Sequence, residues 1–320
     1  MRFGEIISRS KFLTAFFYLM DKNSFGDEQR FVLSGVSNNM RSGLNIGNFR
    51  RNIHRIEKGL ITKPMKPVFA ESYILETVKQ YISYSKKHQS NSTVQWAVGT
   101  LCRYFNVVEE TSEIKKAEEL FLSFIPQDSK VNSITGEGKV SSIFSFEDFH
   151  RLNIQRRSIR YYDDKKVPRD LVEKALNTAL LAPSACNRQP FVFRIIDDQK
   201  KLKIASSLPN GAKVFADNIK MMVFIIGDLS NYFDERDKHL TYIDSSLVAM
   251  NFILALETLG LSSCIINWSD LPSKNQELKR FLGLKSWEHC VMTISVGYAS
   301  DSGGIPSSLK KEVSQVLKYN

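Results

Sequence analysis

Between Leu247 and Leu256 the chain is apolar almost all round a helical wheel, broken only by Asn251. A helix without a polar stripe is unsuited to a solvated surface, so this one should be buried by a sheet, by a partner subunit or by both. It is the middle of a longer helical pattern, about residues 240–259. Four short runs rich in branched and aromatic residues surround it: Phe191–Ile196, Met221–Ile226, Cys264–Asn267 and Cys290–Val296. Each is closed by a polar or glycine turn, which reads as a strand. A further helix is predicted from Pro168 at a first helical position, through Leu171, Val172, Ala175, Leu176, Ala179 and Leu180, until Pro183 stops it. Helices and strands in this order give the class α+β.

The first part of the chain reads differently. Residues 1–125 read as mostly helical, with Tyr73, Ile74, Val78, Tyr81 and Ile82 on one helical face and Gly59 as a C-cap. Phe12–Met20 is expected to be a buried helix, too short to span a bilayer and followed by Asp21-Lys22-Asn23 where a signal peptide would have small residues. From Pro126 to Ser142 the composition turns polar and glycine-rich, so a linker is placed at 126–145 and a second domain at 146–320.

Charge and cysteine content narrow the function classes. The formal net charge is +10, and its densest part is Arg41 to Lys66, where seven basic residues face the single acid Glu57. That stretch has one aromatic, Phe49, and no groove-reading motif, so it does not read as a nucleic-acid site. It reads as a solvated helix face or as a weak docking surface for an anionic partner or membrane. The four cysteines form no C-x-x-C pair and the five histidines lack metal-ligand spacing, so no disulfide framework or metal is expected and a cytoplasmic location is.

Three segments carry chemistry. Arg156-Arg157-Ser158-Ile159-Arg160 packs three guanidiniums and a hydroxyl into five residues, a donor set suited to phosphate. Pro183-Ser184-Ala185-Cys186-Asn187-Arg188-Gln189-Pro190 is a loop fixed by two prolines, with donors and acceptors of the kind that read a planar heterocycle. Leu259 to Asp270 is a helix end, a turn and the strand Cys264-Ile265-Ile266-Asn267, followed by Trp268.

In this order, and with Asp244–Asn251 in the long helix and Thr293–Tyr298 in the last strand, these segments resemble the nitroreductase family of flavin enzymes over about residues 150–320. Phe49 to Leu60 also looks like the extra N-terminal region of nitroreductase-like proteins found among surface-polysaccharide genes. The resemblance implies an α+β sandwich with a mixed sheet and a long central helix, a homodimer, and FMN at each subunit interface. It implies that Arg156, Arg157, Ser158 and Arg160 hold the FMN phosphate and ribityl chain, with Lys310 reaching the phosphate from the tail. Pro183, Ser184, Ala185, Asn187 and Gln189 would contact the ring, from the partner chain, while Ile265, Ile266, Asn267 and Trp268 pass beside it. Trp268, where relatives commonly have glycine, is expected to fold over or beside the ring. The implied activity is electron transfer from NAD(P)H through FMN to a nitro, quinone or enone acceptor, with no side-chain acid or nucleophile. The basic N-terminal segment would fold back over the catalytic half.

Overall fold

The computed structural model describes residues 10–20, 24–41, 44–88, 91–125 and 141–320. Helices come first: α1 (Lys11–Met20), α2 (Ser24–Arg41), α3 (Ile46–Ile61), α4 (Glu71–Ser85), α5 (Ser92–Val107) and α6 (Ser112–Leu122). Asn45, Asn91 and Thr111 begin α3, α5 and α6 by accepting hydrogen bonds from the first-turn N–H groups of Asn48, Thr93 and Ile114. Phe49, Ile53 and Ile56 of α3, Ile74, Val78 and Tyr81 of α4, Leu101 and Tyr104 of α5 and Phe121 of α6 share one core of their own.

Two expectations change here. Gly59 is not a C-cap, because α3 continues to Ile61 and is closed by Thr62. The glycine is instead where the Phe69 ring lies against the helix, and a Cβ would overlap that ring. The helix at Phe12 forms but is not buried: Phe12 is 78% and Phe16 54% exposed, because α1 packs chiefly against α2. The linker placed at 126–145 lies outside the described residues over 126–140.

The later elements are α7 (Phe146–Gln155), α8 (Arg169–Ala179), β1 (Phe191–Ile196), α9 (Gln199–Ser207), β2 (Met221–Asp228), α10 (Leu240–Thr258), β3 (Ser262–Asn267), α11 (Pro272–Leu282) and β4 (Glu288–Gly297). The strands form one four-stranded sheet in the order β1-β2-β4-β3. Every adjacent pair is antiparallel. The mixed character expected of the sheet is therefore confined to one isolated parallel bridge, Ser158 with Ser263. Central β2 is apolar from Met221 to Ile226 because both its faces are covered. Met221, Val223 and Ile225 meet α8 and α10, while Met222, Phe224 and Ile226 meet α9, α11 and Trp268.

Helix α10 lies on the sheet through Val248, Phe252, Ile253 and Leu256. Its apolar content exceeds what that face needs: Ile243, Leu247 and Met250 remain 48%, 41% and 39% exposed, at spacings that align them along one side. The sheet accounts for only half of the feature.

The two halves touch through α2, α3 and the turn after β2. Asn39 and Asn45 both donate from Nδ2 to the Ser230 carbonyl, at 2.7 and 2.6 Å. Gly35 of α2 lies so close to this turn that a Cβ would be 2.6 Å from the Leu229 carbonyl carbon. A larger residue there would separate the halves.

Candidate functional site

Arg156 ends α7 by donating its N–H to Leu152 O at 3.0 Å, and the chain then runs beside the start of β3. The Ile159 N–H donates to Ser263 O at 3.0 Å, fixing the segment against that strand. Burial pushes the Cys264 thiol up, opposed in turn by the Arg160 charge, by a hydrogen bond with Ser158 and by the Arg156 charge. Ser158 bridges to Ser263 and Arg160 Nη1 donates to Ser158 O at 3.3 Å, so this segment lies at the beginning of β3. Arg156 Nε is buried with no hydrogen-bond partner. Among the described residues, no carboxylate forms an ion pair with Arg156, Arg157 or Arg160.

Arg157 turns elsewhere. Its Nη2 donates to the carbonyls of Pro306 and Ser307, at 2.6 and 2.8 Å, so it holds the C-terminal tail. Lys310 is exposed. It lies three residues beyond that anchor, within about 10 Å of extended chain.

The Pro183–Gln189 loop is held from two sides. From α10, the Asp244 carboxylate accepts from Ser184 Oγ at 2.6 Å and from the Ala185 N–H at 3.1 Å. Ser184 Oγ in turn accepts from the Gln189 N–H at 2.8 Å, and Gln189 Nε2 donates to Asn187 Oδ1 at 2.8 Å. From α3, Arg50 Nε donates to Asn187 O at 2.9 Å. Between these clamps Cys186, Asn187 and Gln189 hold φ values of 53°, 54° and 52°, a left-handed path that non-glycine residues keep only under outside constraint. Pro183 lies exposed at the loop's start.

Along β3, Ile265 and Asn267 are exposed while Cys264 and Ile266 face the core, as strand alternation requires. Trp268 does not stand over this edge. Its indole is 6% exposed, donates from Nε1 to Asn275 Oδ1 at 2.9 Å, and meets Phe224 edge-on. Ile266 and Trp268 can present only backbone to a ligand, because packing against Phe224 takes the indole inward.

The two groups are not brought together within one chain. The loop is tied to Asp244, whereas the arginine segment sits beside Glu257, which accepts from Gln155 and feels the Arg156 charge. Those two residues of α10 are 13 positions, or about 20 Å, apart. The clamps Asp244 and Arg50 were missed as site residues; Asp244 sits in a quoted segment and Arg50 in the basic stretch, and neither has a local signal pointing to the loop.

Residues 154–217 and 205–298 match the family model described as the Nitroreductase family. A protein of Methanothermobacter thermautotrophicus with the provisional name NADH dehydrogenase/NAD(P)H nitroreductase is 29% identical over 171 residues, covering 52% of this chain and 84% of that protein. Human iodotyrosine deiodinase 1 is 19% identical over 196 residues, covering 53% of this chain and 68% of that enzyme. Among solved structures, an FMN-dependent nitroreductase of Clostridium difficile is 27% identical, with 52% of this chain and 95% of that one covered and a TM-score of 0.44.

Proposed function

We propose, from the match of residues 154–298 to the nitroreductase family model, that the protein is an FMN-dependent oxidoreductase that takes electrons from NAD(P)H and delivers them to a small nitro, quinone or enone acceptor. One observation carries the reading: Arg156, Ser158 and Arg160 lie together at the start of β3, no carboxylate among the described residues forms an ion pair with either arginine, and Arg156 Nε is left buried and unbonded. A phosphate supplies the missing acceptor, so the residues fit FMN. Bound there, FMN supplies hydride acceptance and its onward transfer.

The chain's own residues position and enclose. Arg156, Ser158 and Arg160 would neutralise and orient the phosphate, with Arg157 fixing the tail that carries Lys310. The backbone from Ile265 to Trp268, with the exposed Asn267, would line the ring. Pro183, Ser184, Ala185, Asn187 and Gln189 would close over it from a second copy. Two facts support that homodimer: the loop and the arginine segment lie at opposite ends of α10, and Ile243, Leu247 and Met250 form an exposed apolar stripe along that helix. Antiparallel pairing of α10 helices brings one copy's loop to the other's arginines. No side-chain acid or nucleophile is required.

The purified protein should be yellow, sediment as a dimer and bleach anaerobically with NADH or NADPH. A colourless protein that takes up no added FMN overturns the reading. A yellow protein that neither nicotinamide bleaches would retain the flavin and replace the reductase role.

A further inference from the structure

Helix α3 does more than cover the Pro-Ser loop. Three guanidinium carbons surround the Phe233 ring: Arg51 at 5.1 Å, Arg188 at 5.8 Å and Arg236 at 5.9 Å from its centroid. Arg55, one turn along α3 from Arg51, stacks on Tyr73 at 4.0 Å. Stacking fixes each guanidinium plane while leaving its N–H edge available for a planar acceptor. Arg188 is only 4% exposed, and its Nη1 bonds to Gly47 O and Asn48 Oδ1 are long, at 3.3 and 3.4 Å.

Carboxylates do not balance these charges. Arg236 is the member with an ion pair, to Asp234 at 4.0 Å in an exposed position. Among the described residues none pairs with Arg51, Arg55 or Arg188. Burial, and after it the neighbouring Arg55, pulls Arg51 below its ordinary pKa. Burial, and after it Arg51, does the same to Arg188. Glu76 and Asp237 oppose these shifts from a distance, as does Cys186. Like charges held this close are relieved by an anion from outside.

We propose that Arg51 and Arg55 of α3, together with Arg188, form a binding site for an oxyanion, a phosphate or carboxylate, carried by a substrate of the flavin site. This rests on the flavin reading, which makes 183–189 the ring-facing loop; Arg188 lies within it, between Asn187 and Gln189. The anion has two possible sources, a phosphate of the nicotinamide nucleotide or an acidic group on the acceptor. Either way the N-terminal helices supply a recognition element that the catalytic half lacks.

The test uses the full-length, FMN-loaded protein, in which the phosphate site at Arg156 is already filled. Calorimetric titration with inorganic pyrophosphate reads the new site directly. The pair Arg51→Gln with Arg55→Gln should weaken binding about tenfold for each guanidinium removed, while Lys58→Gln, an exposed charge on the same helix, should leave it unchanged. If the pair destabilises the fold, Arg55→Gln alone should still give about tenfold. A rise in KM for NADPH without a change in the 4-nitrobenzoate to nitrobenzene ratio assigns the anion to the nucleotide. A rise in KM for 4-nitrobenzoate relative to nitrobenzene assigns it to the acceptor. Identical pyrophosphate affinity in the wild type and the folded variant overturns the proposal and leaves the arginines as helix-docking contacts. Pyrophosphate binding does not depend on flavin reduction, so loss of the reductase reading would be seen separately, as a flavin that nicotinamides do not bleach.

Discussion

At the C-terminal end of α10, Arg156, Arg157 and Arg160 come from one five-residue stretch. At the other end, Arg50 of α3 bonds Asn187, 137 positions further along the chain, and Arg51 shares the Phe233 ring with Arg188 of the same loop. In the first set Arg157 is engaged by the Pro306 and Ser307 carbonyls and Arg160 reaches Ser158 O, while Arg156 keeps a buried, unbonded Nε. The second set is partly satisfied: Arg50 donates to Asn187 O and Thr93 Oγ1 and stacks on Trp96, and Arg188 reaches Gly47 O. Arginines left unsatisfied by their own chain are arranged for a ligand alone. Arginines that also bond the backbone serve two ends, joining the halves and offering their remaining edges to a ligand. Removing the first set should therefore cost ligand and spare the fold, whereas removing the second should cost some of each.

The largest effect should come from Arg156→Ala with Arg160→Ala. Two charge-assisted bonds are worth about 3 to 6 kcal/mol together, on the order of a thousandfold in FMN affinity. Arg157→Ala should cost far less, because Arg157 is already engaged by Pro306 and Ser307. Fluorescence titration of the apoprotein with FMN measures all three. Near-normal affinity in the folded double variant would take the phosphate away from this segment.

The same contrast explains what was legible in the sequence. Arg156 to Arg160 is contiguous, and the alternating pattern of β1 to β4 and the apolar α10 are local patterns too, so each could be read without the fold. Trp268 could not be placed, since its inward rotation depends on Phe224 and Asn275 from other elements. Gly59 was misread because its reason is Phe69, ten residues away in the chain but against the helix in space. Arg51 and Arg55 were visible only as basic charge. Their meaning comes from Phe233 and Arg188, which tertiary contact alone brings to them.

Acid should break the comparison unevenly, because only the second arginine set depends on α2 and α3 staying docked. His289 sits in that seam, stacked on Phe31 of α2 and close to Tyr242, with Thr241 Oγ1 at 3.4 Å and no partner for Nδ1. Asp27, Arg30, Lys279 and Glu288 line the same cleft. Burial pushes the His289 imidazole down from its ordinary 6.5 to about 4. The folded state thus keeps the ring neutral while the unfolded chain takes up a proton, so stability is full above about pH 6.5 and falls by roughly 3 kcal/mol as pH drops to about 4. Asp228 and Asp244, raised by burial, act in the opposite sense and lose stabilising effect as pH rises. Urea unfolding of the wild type and His289→Gln between pH 7.5 and 4 separates them. The gap between the two proteins should change with pH by about that amount, and a constant gap would remove His289 as the source.

The smallest effect sharpens the comparison at the loop that both sets would serve. Asp244 is 1% exposed, and burial raises its pKa despite the bonds from Ser184 and Ala185. Its carboxylate anchors Ser184, which anchors Gln189, and so holds three residues in the left-handed region that would otherwise relax. Arg50 holds the same loop from α3 but through one carbonyl. Asp244→Ala should therefore cost about 2 kcal/mol of stability, and Asp244→Asn, which keeps an oxygen for Ser184, about 1 kcal/mol. In both variants FMN affinity should fall less than in the Arg156 and Arg160 pair, because the phosphate contacts are untouched, while the flavin absorption band should shift as the loop loosens beside the ring. Urea unfolding and visible spectra of the loaded proteins report the two effects independently. An unshifted spectrum in a clearly destabilised Asp244→Ala would mean that the loop supports the fold but does not face the flavin, and the second arginine set would lose its connection to the site.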